Sequence, residues 1–174
     1  MTCFGDDDGD ISLNVSGGTV AASYGFNWSP TPACYGGPTN TQNITGLCNG
    51  TYTIEVSDDN GCTNDTTFVV TEPNQLTLTT SSTDAGCGID NGTVSATPGG
   101  GTIAGSYMVN WTGAGTGFSS SNLNETRLAP DTYTIVIEDD NGCQINANEI
   151  VSTVTAPIVT IDHQTDLLCN GERI

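Results

Sequence analysis

The sequence predicts an all-β protein made of two tandem immunoglobulin-like antiparallel β-sandwich domains in an elongated arrangement. Apolar and polar residues alternate in many short stretches, which indicates half-buried strands. Turn residues recur about every 8 to 12 positions, a spacing typical of sandwiches. A self-similarity also covers most of the 174 residues, and no stretch has the periodicity of an amphipathic helix.

The clearest repeated stretch is a strand that runs into an Asn-Gly turn. It reads GTYTIEVSDDNGC at residues 50–62 and DTYTIVIEDDNGC at residues 131–143, with an offset of 81. Tyr, Ile and Val alternate with polar residues in both copies, and Asn-Gly favours a hairpin turn. Each copy is therefore predicted to be a strand that enters a β-hairpin.

The similarity extends outward from this stretch and defines the domains. Trp28 corresponds to Trp111 at an offset of 83, and Cys3 corresponds to Cys87 at an offset of 84. We predict a first domain at residues 1–73 without its first strand, a second domain at residues 74–156, and the first strand and start of a third repeat at residues 157–174. The predicted linker is Glu72-Pro73-Asn74.

The alternation predicts the other strands and a core. In the first repeat the predicted strands span residues 11–15, 24–28, 44–47 and 63–71, in addition to the repeated strand. In the second they span residues 75–80, 93–97, 107–112, 123–128, 132–138 and 144–154, and a further strand is predicted at residues 158–161. Trp28 is predicted to anchor the core, because a large aromatic at the end of such a strand packs between the sheets.

The charge excludes several classes of partner. Twenty acidic residues are opposed by Arg127 and Arg173 alone, which gives a net charge of −18. A chain this acidic cannot neutralise phosphates, so nucleic acid is excluded as a partner and anionic membrane surfaces are disfavoured. No apolar stretch is long enough for membrane insertion. The absence of Lys also excludes Lys-Asn isopeptide cross-links.

The cysteines and the single histidine indicate an extracellular protein that is not an enzyme. Seven cysteines without a C-x-x-C pair fit an oxidising compartment better than a zinc site. Ser-His-Asp or Cys-His catalysis would need His163, which lies beyond the second domain. Paired acids could in principle hydrolyse glycosides, but acids in the turns of a repeated module are more often solvated or metal-bound.

The order of motifs resembles the SprB repeat. Residues 3–73 read C-x-G-x-x-x-G-x-I, Gly-Gly-Thr, an aromatic strand ending in Trp, Asn-Ile-Thr-Gly-Leu, Gly-Thr-Tyr-Thr, Asp-Asp-Asn-Gly-Cys and Thr-Glu-Pro. Residues 87 to about 156 match with departures: the acidic run is missing after Cys87, and Arg127-Leu-Ala-Pro replaces Gly46-Leu-Cys-Asn.

The resemblance implies where the protein is located and what it does. SprB repeats form long tandem-repeat adhesins on the surface of gliding bacteria, exported by the type IX secretion system. We therefore expect a non-enzymatic segment of a longer extracellular surface filament that acts as a stalk or adhesive unit.

The acidic turns are candidate calcium sites. Asp6, Asp8 and Asp10 lie in one turn, and Asp139 and Asp140 lie in another. Ca²⁺ takes six to eight oxygen ligands in flexible geometry, which clustered carboxylates can supply. The alternative is that these acids hydrate the surface and set the Asn-Gly turns.

Two disulfides follow from the expected topology. Cys34 and Cys48 lie in loops at one end of the first sandwich, so we predict a Cys34–Cys48 bridge. The final strand of one sandwich leads into the first strand of the next, which places Cys3 and Asp6 to Asp10 opposite Asp139, Asp140 and Cys143. We therefore predict an interdomain Cys3–Cys143 bridge with Ca²⁺ held nearby, because the alternative partner Cys62 would lie roughly 23 Å from Cys3 across a strand.

Two questions of function stay open at this point. The chain is predicted to be a structural and adhesive repeat, or alternatively a carbohydrate-binding module in which Tyr35 or Phe118 stacks on sugar rings, so surface glycans are possible partners. The missing first strand of the first repeat and the extra strand at residues 158–161 are complementary. Head-to-tail self-association by strand addition is therefore a hypothesis, with two unrelated chain boundaries as its alternative.

Overall fold

The computed structural model describes residues 1–29 and 34–163, and these residues fold as antiparallel β-sheets. The all-β prediction is confirmed, because the described residues form twelve strands and no helix. The described part of the chain also contains no helix long and apolar enough to cross a membrane. The prediction of a strand at residues 158–161 was wrong, because residues 154–163 belong to no strand, and residues 164–174 of the predicted third repeat lie outside the described residues.

The first repeat forms two small sheets. Its strands are β1 (Gly9–Ile11), β2 (Gly25–Trp28), β3 (Ile44–Leu47), β4 (Gly50–Ser57) and β5 (Thr63–Val70). Strand β1 pairs with β3, and the second sheet has the order β2-β4-β5. The long β4–β5 pair is the predicted hairpin, with Tyr52 opposite Phe68.

The second repeat forms two larger sheets. Its strands are β6 (Thr77–Thr83), β7 (Gly92–Gly99), β8 (Met108–Gly113), β9 (Ser119–Ser120), β10 (Asn124–Leu128), β11 (Asp131–Glu138) and β12 (Gln144–Val151). The orders are β10-β7-β6 in one sheet and β12-β11-β8-β9 in the other. This sandwich-like arrangement contains the same pairs as the first repeat, with β6 and β9 added.

Each repeat has its own apolar core between its two sheets. Trp28, Tyr52 and Ile54 meet Ile11, Ile44 and Leu47 in the first core. Trp111 is fully buried in the second, together with Tyr133, Ile135 and Val94. The predicted role of Trp28 as a core anchor is confirmed, because only 2% of its surface is exposed.

A tyrosine in each repeat fixes the turn that precedes its central strand. The Tyr52 hydroxyl donates to the Cys48 carbonyl at 3.0 Å, and the Tyr133 hydroxyl donates to the Ala129 carbonyl at 2.8 Å. Immunoglobulin-like sandwiches contain a similar contact from a Tyr hydroxyl to the backbone a few residues upstream, which is called the tyrosine corner. The repeated strand thus carries a second shared feature besides its turn.

The prediction of a strand at residues 11–15 was wrong. Strand β1 ends at Ile11, whereas its counterpart β7 continues to Gly99. The difference has a physical cause, because β7 is paired along its length with β6 and residues 12–16 have no such neighbour among the described residues. Alternation shows which residues suit a strand, but a strand also needs a partner for its backbone hydrogen bonds.

Candidate functional site

The contact between the two repeats is the most distinctive site in the molecule. Cys3 and Cys143 form a disulfide, with their Cα atoms 5.7 Å apart. Cys3 precedes the first strand of the first repeat, and Cys143 follows the last hairpin turn of the second repeat. The structure therefore brings together the two ends that the chain topology places opposite each other.

Hydrogen bonds around the bridge connect the same two regions. The Asn141 side chain donates to the Thr2 carbonyl at 2.9 Å across the contact. The linker is held on both sides: the Gly5 amide donates to Glu72 at 2.9 Å, and the Gly101 amide donates to the Asn74 carbonyl at 3.0 Å. The connection is consequently fixed by one covalent bond and by contacts to each repeat.

An aspartate at the same position of each repeat organises the hairpin next to this contact. One oxygen of Asp139 accepts from the amides of Asn141 and Cys143 at 3.0 and 2.9 Å. Its other oxygen accepts from the Thr102 amide at 2.9 Å, which ties the hairpin to the loop that follows the paired glycines. Asp58 makes the corresponding bonds to Asn60, Cys62 and Thr19.

These bonds stabilise the charged form of both aspartates. The Thr102 amide, followed by the other amides, holds the pKa of Asp139 below its usual value although burial acts in the opposite direction. The Thr19 amide does the same for the pKa of Asp58. Asp139 is 4% exposed and is the buried charged residue of the described chain. Backbone amides of Thr102, Asn141 and Cys143 donate to its carboxylate.

The next aspartate of each turn holds the same loop. The side chain of Asp140 accepts from the Ala104 amide, and that of Asp59 accepts from the amides of Ala21 and Ala22. Each Asp-Asp pair therefore ties its hairpin to the loop before the tryptophan strand. The repeated acids have a structural use that does not require an ion.

The acids of the first turn have similar bonds. Asp6 accepts from the Cys3 amide at 2.9 Å, and Asp8 accepts from the Thr2 amide at 3.0 Å. The Thr2 hydroxyl, followed by its amide, lowers the pKa of Asp8. Asp10 is exposed on β1. These hydrogen bonds join residues of the same segment and hold the chain around Cys3 in place.

The predicted calcium ligands do not converge on one point. Within residues 1–29 and 34–163, Asp7, Cys34 and Cys48 are the one group of three acidic, Cys or His side chains whose ligand atoms lie within 4.8 Å of one another. None of Asp6, Asp8, Asp10, Asp139 and Asp140 belongs to it. The oxygens of Asp6, Asp8, Asp139 and Asp140 accept hydrogen bonds from backbone amides, whereas Asp10 is exposed on β1. Calcium binding stays a prediction.

The group that does converge contains the second predicted cysteine pair. Cys34 and Cys48 form a disulfide with their Cα atoms 6.4 Å apart, within the range that disulfides span. Metals bind cysteine as the thiolate, and a sulfur in a disulfide cannot supply one. The second repeat has no cysteine at either corresponding position.

The predicted sugar-stacking aromatics pack against the cores. The Tyr35 ring meets the buried Tyr52 ring edge-on at 6.3 Å, and the Phe118 ring meets the buried Tyr133 ring at 5.4 Å. Both side chains are half-buried. Phe4 is the one aromatic among the exposed large apolar residues of the described chain, so those residues contain no flat platform of exposed rings.

The family model matches part of the chain. Residues 1–33 match the SprB repeat. The resemblance is thereby confirmed over these residues, which include the acidic turn, β1, the Gly-Gly-Thr motif and β2. SprB repeats occur in cell-surface adhesins and are structural, and the disulfides fit an extracellular protein. No curated protein matches the chain.

Sequence reasoning missed the use of Asp58 and Asp139 as connectors between a hairpin and a distant loop. Their local bonds could have been expected, because an Asp two residues before an Asn-Gly turn can accept from the following amides. The signal for the distant bond was also present: Gly-Gly-Thr and Asp-Asp-Asn-Gly-Cys recur together in both repeats. Two motifs that recur as a pair are candidates for contact.

Proposed function

We propose that this chain is a load-bearing, non-enzymatic segment of a bacterial cell-surface adhesin or filament. The observation that carries the proposal is the Cys3–Cys143 bridge, which joins two consecutive repeats outside their cores. Support also comes from the match of residues 1–33 to the SprB repeat. Type IX export and a role in gliding belong to the same proposal.

The proposal treats the repeats as two immunoglobulin-like domains, at residues 1–73 and 74–156, in an elongated arrangement. Separate cores, a tyrosine corner in each repeat and a short linker support this division. Solution scattering checks it, because two domains in series give the profile of a rod. A profile of one compact sphere would contradict the elongated arrangement.

The position of the bridge suggests how the segment withstands tension. A force applied between the two chain ends passes from Cys3 directly to Cys143, because the covalent bond is shorter than the path through the folded chain. The bridge encloses a sequence separation of 140 residues, which includes the whole of β1 to β11. Those strands therefore cannot be pulled out to full length while the disulfide is intact.

Single-molecule stretching tests this proposal. Under oxidising conditions, pulling the chain by its ends is expected to extend only the residues outside the bridge. After reduction, the enclosed 140 residues become extensible and add roughly 470 Å at about 3.4 Å per residue. The matched control is Cys34→Ser with Cys48→Ser, which removes the other bridge and should leave the protection intact. Full extension of the oxidised protein would contradict the proposal.

Adhesion is the second part of the proposed function. Glycans of a cell surface or substratum are the proposed ligands, and a glycan array with the isolated protein tests them. Binding that disappears when Phe4 or Tyr35 is replaced by Ala would favour the carbohydrate-binding alternative. If no glycan binds, the stalk role stands by itself.

Calcium at the joint is proposed as an additional stiffening element. Asp10, which is exposed beside the bridged segment, is the residue with the greatest freedom to contribute. Calorimetric titration with Ca²⁺ is expected to detect a site that weakens in Asp10→Asn. An unchanged melting temperature and scattering profile in a chelator would remove calcium from the account.

A further inference from the structure

The first repeat contains an open groove where the second repeat has a strand. The groove has a volume of about 610 Å³ and lies between residues 12–18 and the β4–β5 hairpin. Its apolar lining comes from both sides: Leu13, Val15, Ile54, Val56 and Phe68. Leu13, Val15 and Phe68 are half-buried, so the core of the first repeat is open to solvent along this line.

The second repeat shows what fits such a groove. Strand β6 pairs with β7 from Thr77 opposite Gly99 to Thr83 opposite Thr93, and the preceding Leu76 is buried. Residues 9–16 are the counterpart of β7 at the offset of 83. A Cβ atom on Gly100 would collide with the Gln75 carbonyl of the incoming segment, whereas a Cβ atom on the equivalent Gly17 would meet nothing within 4 Å.

A segment with the required pattern lies at the other end of the described chain. Residues 157–163 follow β12 without pairing to another described strand, and Ile158, Val159 and Ile161 are 88%, 89% and 77% exposed. The triplet Val159-Thr160-Ile161 repeats the pattern of Leu76-Thr77-Leu78 at the same offset of 83. Side chains two apart on a strand share a face, so Val159 and Ile161 would enter the core together.

The groove of the first repeat is more apolar than the corresponding surface beside β6 in the second repeat, so it is better suited to an apolar strand. In the second repeat, Glu149 faces β6 and accepts hydrogen bonds from Thr80 and Ser82 at 2.6 and 2.7 Å. Phe68 occupies the same position in the first repeat, opposite the central tyrosine of β4. The groove therefore lacks the carboxylate acceptor that polar side chains of β6 use, and its apolar lining as a whole suits Val159 and Ile161, whereas His163 is the counterpart of Thr80 at the offset of 83.

Two cysteines provide an independent indication. Cys87 is the counterpart of Cys3, and Cys62 is the counterpart of Cys143. Both are exposed and free. The Cys3–Cys143 bridge joins the start of one repeat to the last hairpin of the following repeat. If the same joint formed between two copies of the chain, Cys87 of the leading copy would meet Cys62 of the next.

We propose that a second copy of this chain docks head to tail onto the first. Residues 157–163 of the leading copy add a strand beside residues 13–16 of the next copy's first repeat, with Thr160 opposite Ser16. Cys87 of the leading copy then bridges Cys62 of the next. The contact is heterologous and does not close on itself, so repetition produces a fibre. This inference rests on the proposed function, because it reuses the joint between repeats in series.

The covalent step has a simple balance. Two thiols lose two protons and two electrons as the sulfur–sulfur bond forms. A small-molecule disulfide, such as oxidised glutathione, accepts them and is released as two thiols. Strand insertion precedes this step and brings the two thiols together, which raises their effective concentration.

Complementary cysteine variants test the bridge. The full chain is prepared as Cys62→Ser and as Cys87→Ser, both with Cys169→Ser, and the two are mixed with oxidised glutathione. The mixture is expected to give a covalent dimer whose peptide map links Cys87 to Cys62. Neither variant alone should give that dimer. A mixture that remains monomeric, or that links Cys62 to Cys62 or Cys87 to Cys87, overturns the proposal.

A second pair of variants tests the strand. Val159→Asp with Ile161→Asp places charges in an apolar groove, so the rate of dimer formation should fall by about tenfold or more. Ile158→Asp is the matched control, since Ile158 corresponds to the exposed Gln75 and should leave the rate unchanged. These residues are exposed in the single chain, so the variants fold.

Equal rates for both variants would refute strand insertion even if the cysteines reacted. Failure of adhesion or of the stretching behaviour would leave these results unaffected. The proposed function and the docking of copies can thus fail separately.

Discussion

The two repeats differ in how completely their sandwiches are built. The second has sheets of three and four strands, whereas the first has sheets of two and three. The central strand and its Asn-Gly turn are similar in both repeats, so the difference comes from the neighbours of that strand. In the second repeat β6 pairs with β7, and β7 continues to Gly99; in the first repeat no described strand takes the place of β6, and β1 ends at Ile11. The comparison indicates that a strand in the position of β6 is needed for its neighbour to form along its full length.

The two repeats are connected both by the linker and by the disulfide, so each depends on its neighbour. Strand β6 of the second repeat follows directly from the linker, so the preceding repeat positions it. The Cys3–Cys143 bridge then connects the same two units a second time. A repeat in such an array is completed by its neighbours and is not a fully independent unit.

Removing a core tryptophan should have the largest effect. Trp111→Ala is expected to destabilise the second repeat by about 3–5 kcal/mol, the usual cost of emptying the site of a buried aromatic. Trp28→Ala should cost less, because the open groove lets the first core relax around the gap. Urea unfolding followed by far-ultraviolet circular dichroism measures the loss in each variant, because the remaining tryptophan lies in the other repeat and reports only on that one. Equal losses would show that the groove does not loosen the first core.

A smaller change separates packing from hydrogen bonding at the same two positions. The Trp28 Nε1 donates to the Thr41 carbonyl at 2.9 Å, whereas the Trp111 Nε1 is buried without a partner. Replacement by Phe removes a satisfied donor in the first case and an unsatisfied one in the second. Trp28→Phe should therefore cost about 1 kcal/mol more than Trp111→Phe. The reverse order would contradict this assignment of partners.

Replacing the more buried of the two hairpin aspartates should lower the melting temperature more. Asp139→Asn replaces an oxygen acceptor of a buried carboxylate with an amide group that cannot accept, and is expected to lower the melting temperature by a few degrees. Asp58→Asn should lower it less, because Asp58 is half-exposed. Scanning calorimetry of both variants measures the difference. An Asp58→Asn effect equal to or larger than that of Asp139→Asn would refute the structural role of burial.

Acid should destabilise the second repeat by protonating Asp131. The Gly115 amide, followed by Thr116 and Thr132, lowers the pKa of Asp131 to about 2. A lowered folded pKa means that the stabilisation is complete above the unfolded value of about 3.9 and is lost as the pH falls towards 2. Asp131→Asn should thus lower stability at neutral pH and flatten its decline between pH 4 and 2.

The first repeat supplies a built-in control for the acid experiment. Gly50 stands at the position of Asp131, so this contribution is missing there. Replacing Asp131 should leave the acid response of the first repeat, followed through Trp28, unchanged. A matching change in both repeats would point to a general charge effect.

The sequence allowed much of this structure to be predicted. The alternation of Tyr52 and Ile54, and of Tyr133 and Ile135, placed the central strands and both cores correctly. The strand predicted through Val15 failed, because the pairing of residues 12–16 depends on a segment distant in the chain. The bonds from Asp139 to Thr102 were missed for a similar reason, since local pattern does not show which distant loop a turn will meet.

The peptide map of the oxidised protein shows whether Cys3 and Cys143 join the two repeats. Non-reducing digestion of the single chain, with free thiols blocked first, identifies the partner of Cys3. We expect a peptide pair that contains Cys3 and Cys143, with Cys62 recovered as a blocked thiol in the monomer. A pair that links Cys3 to Cys62 would contradict the joint between the repeats and with it the proposed path of tension.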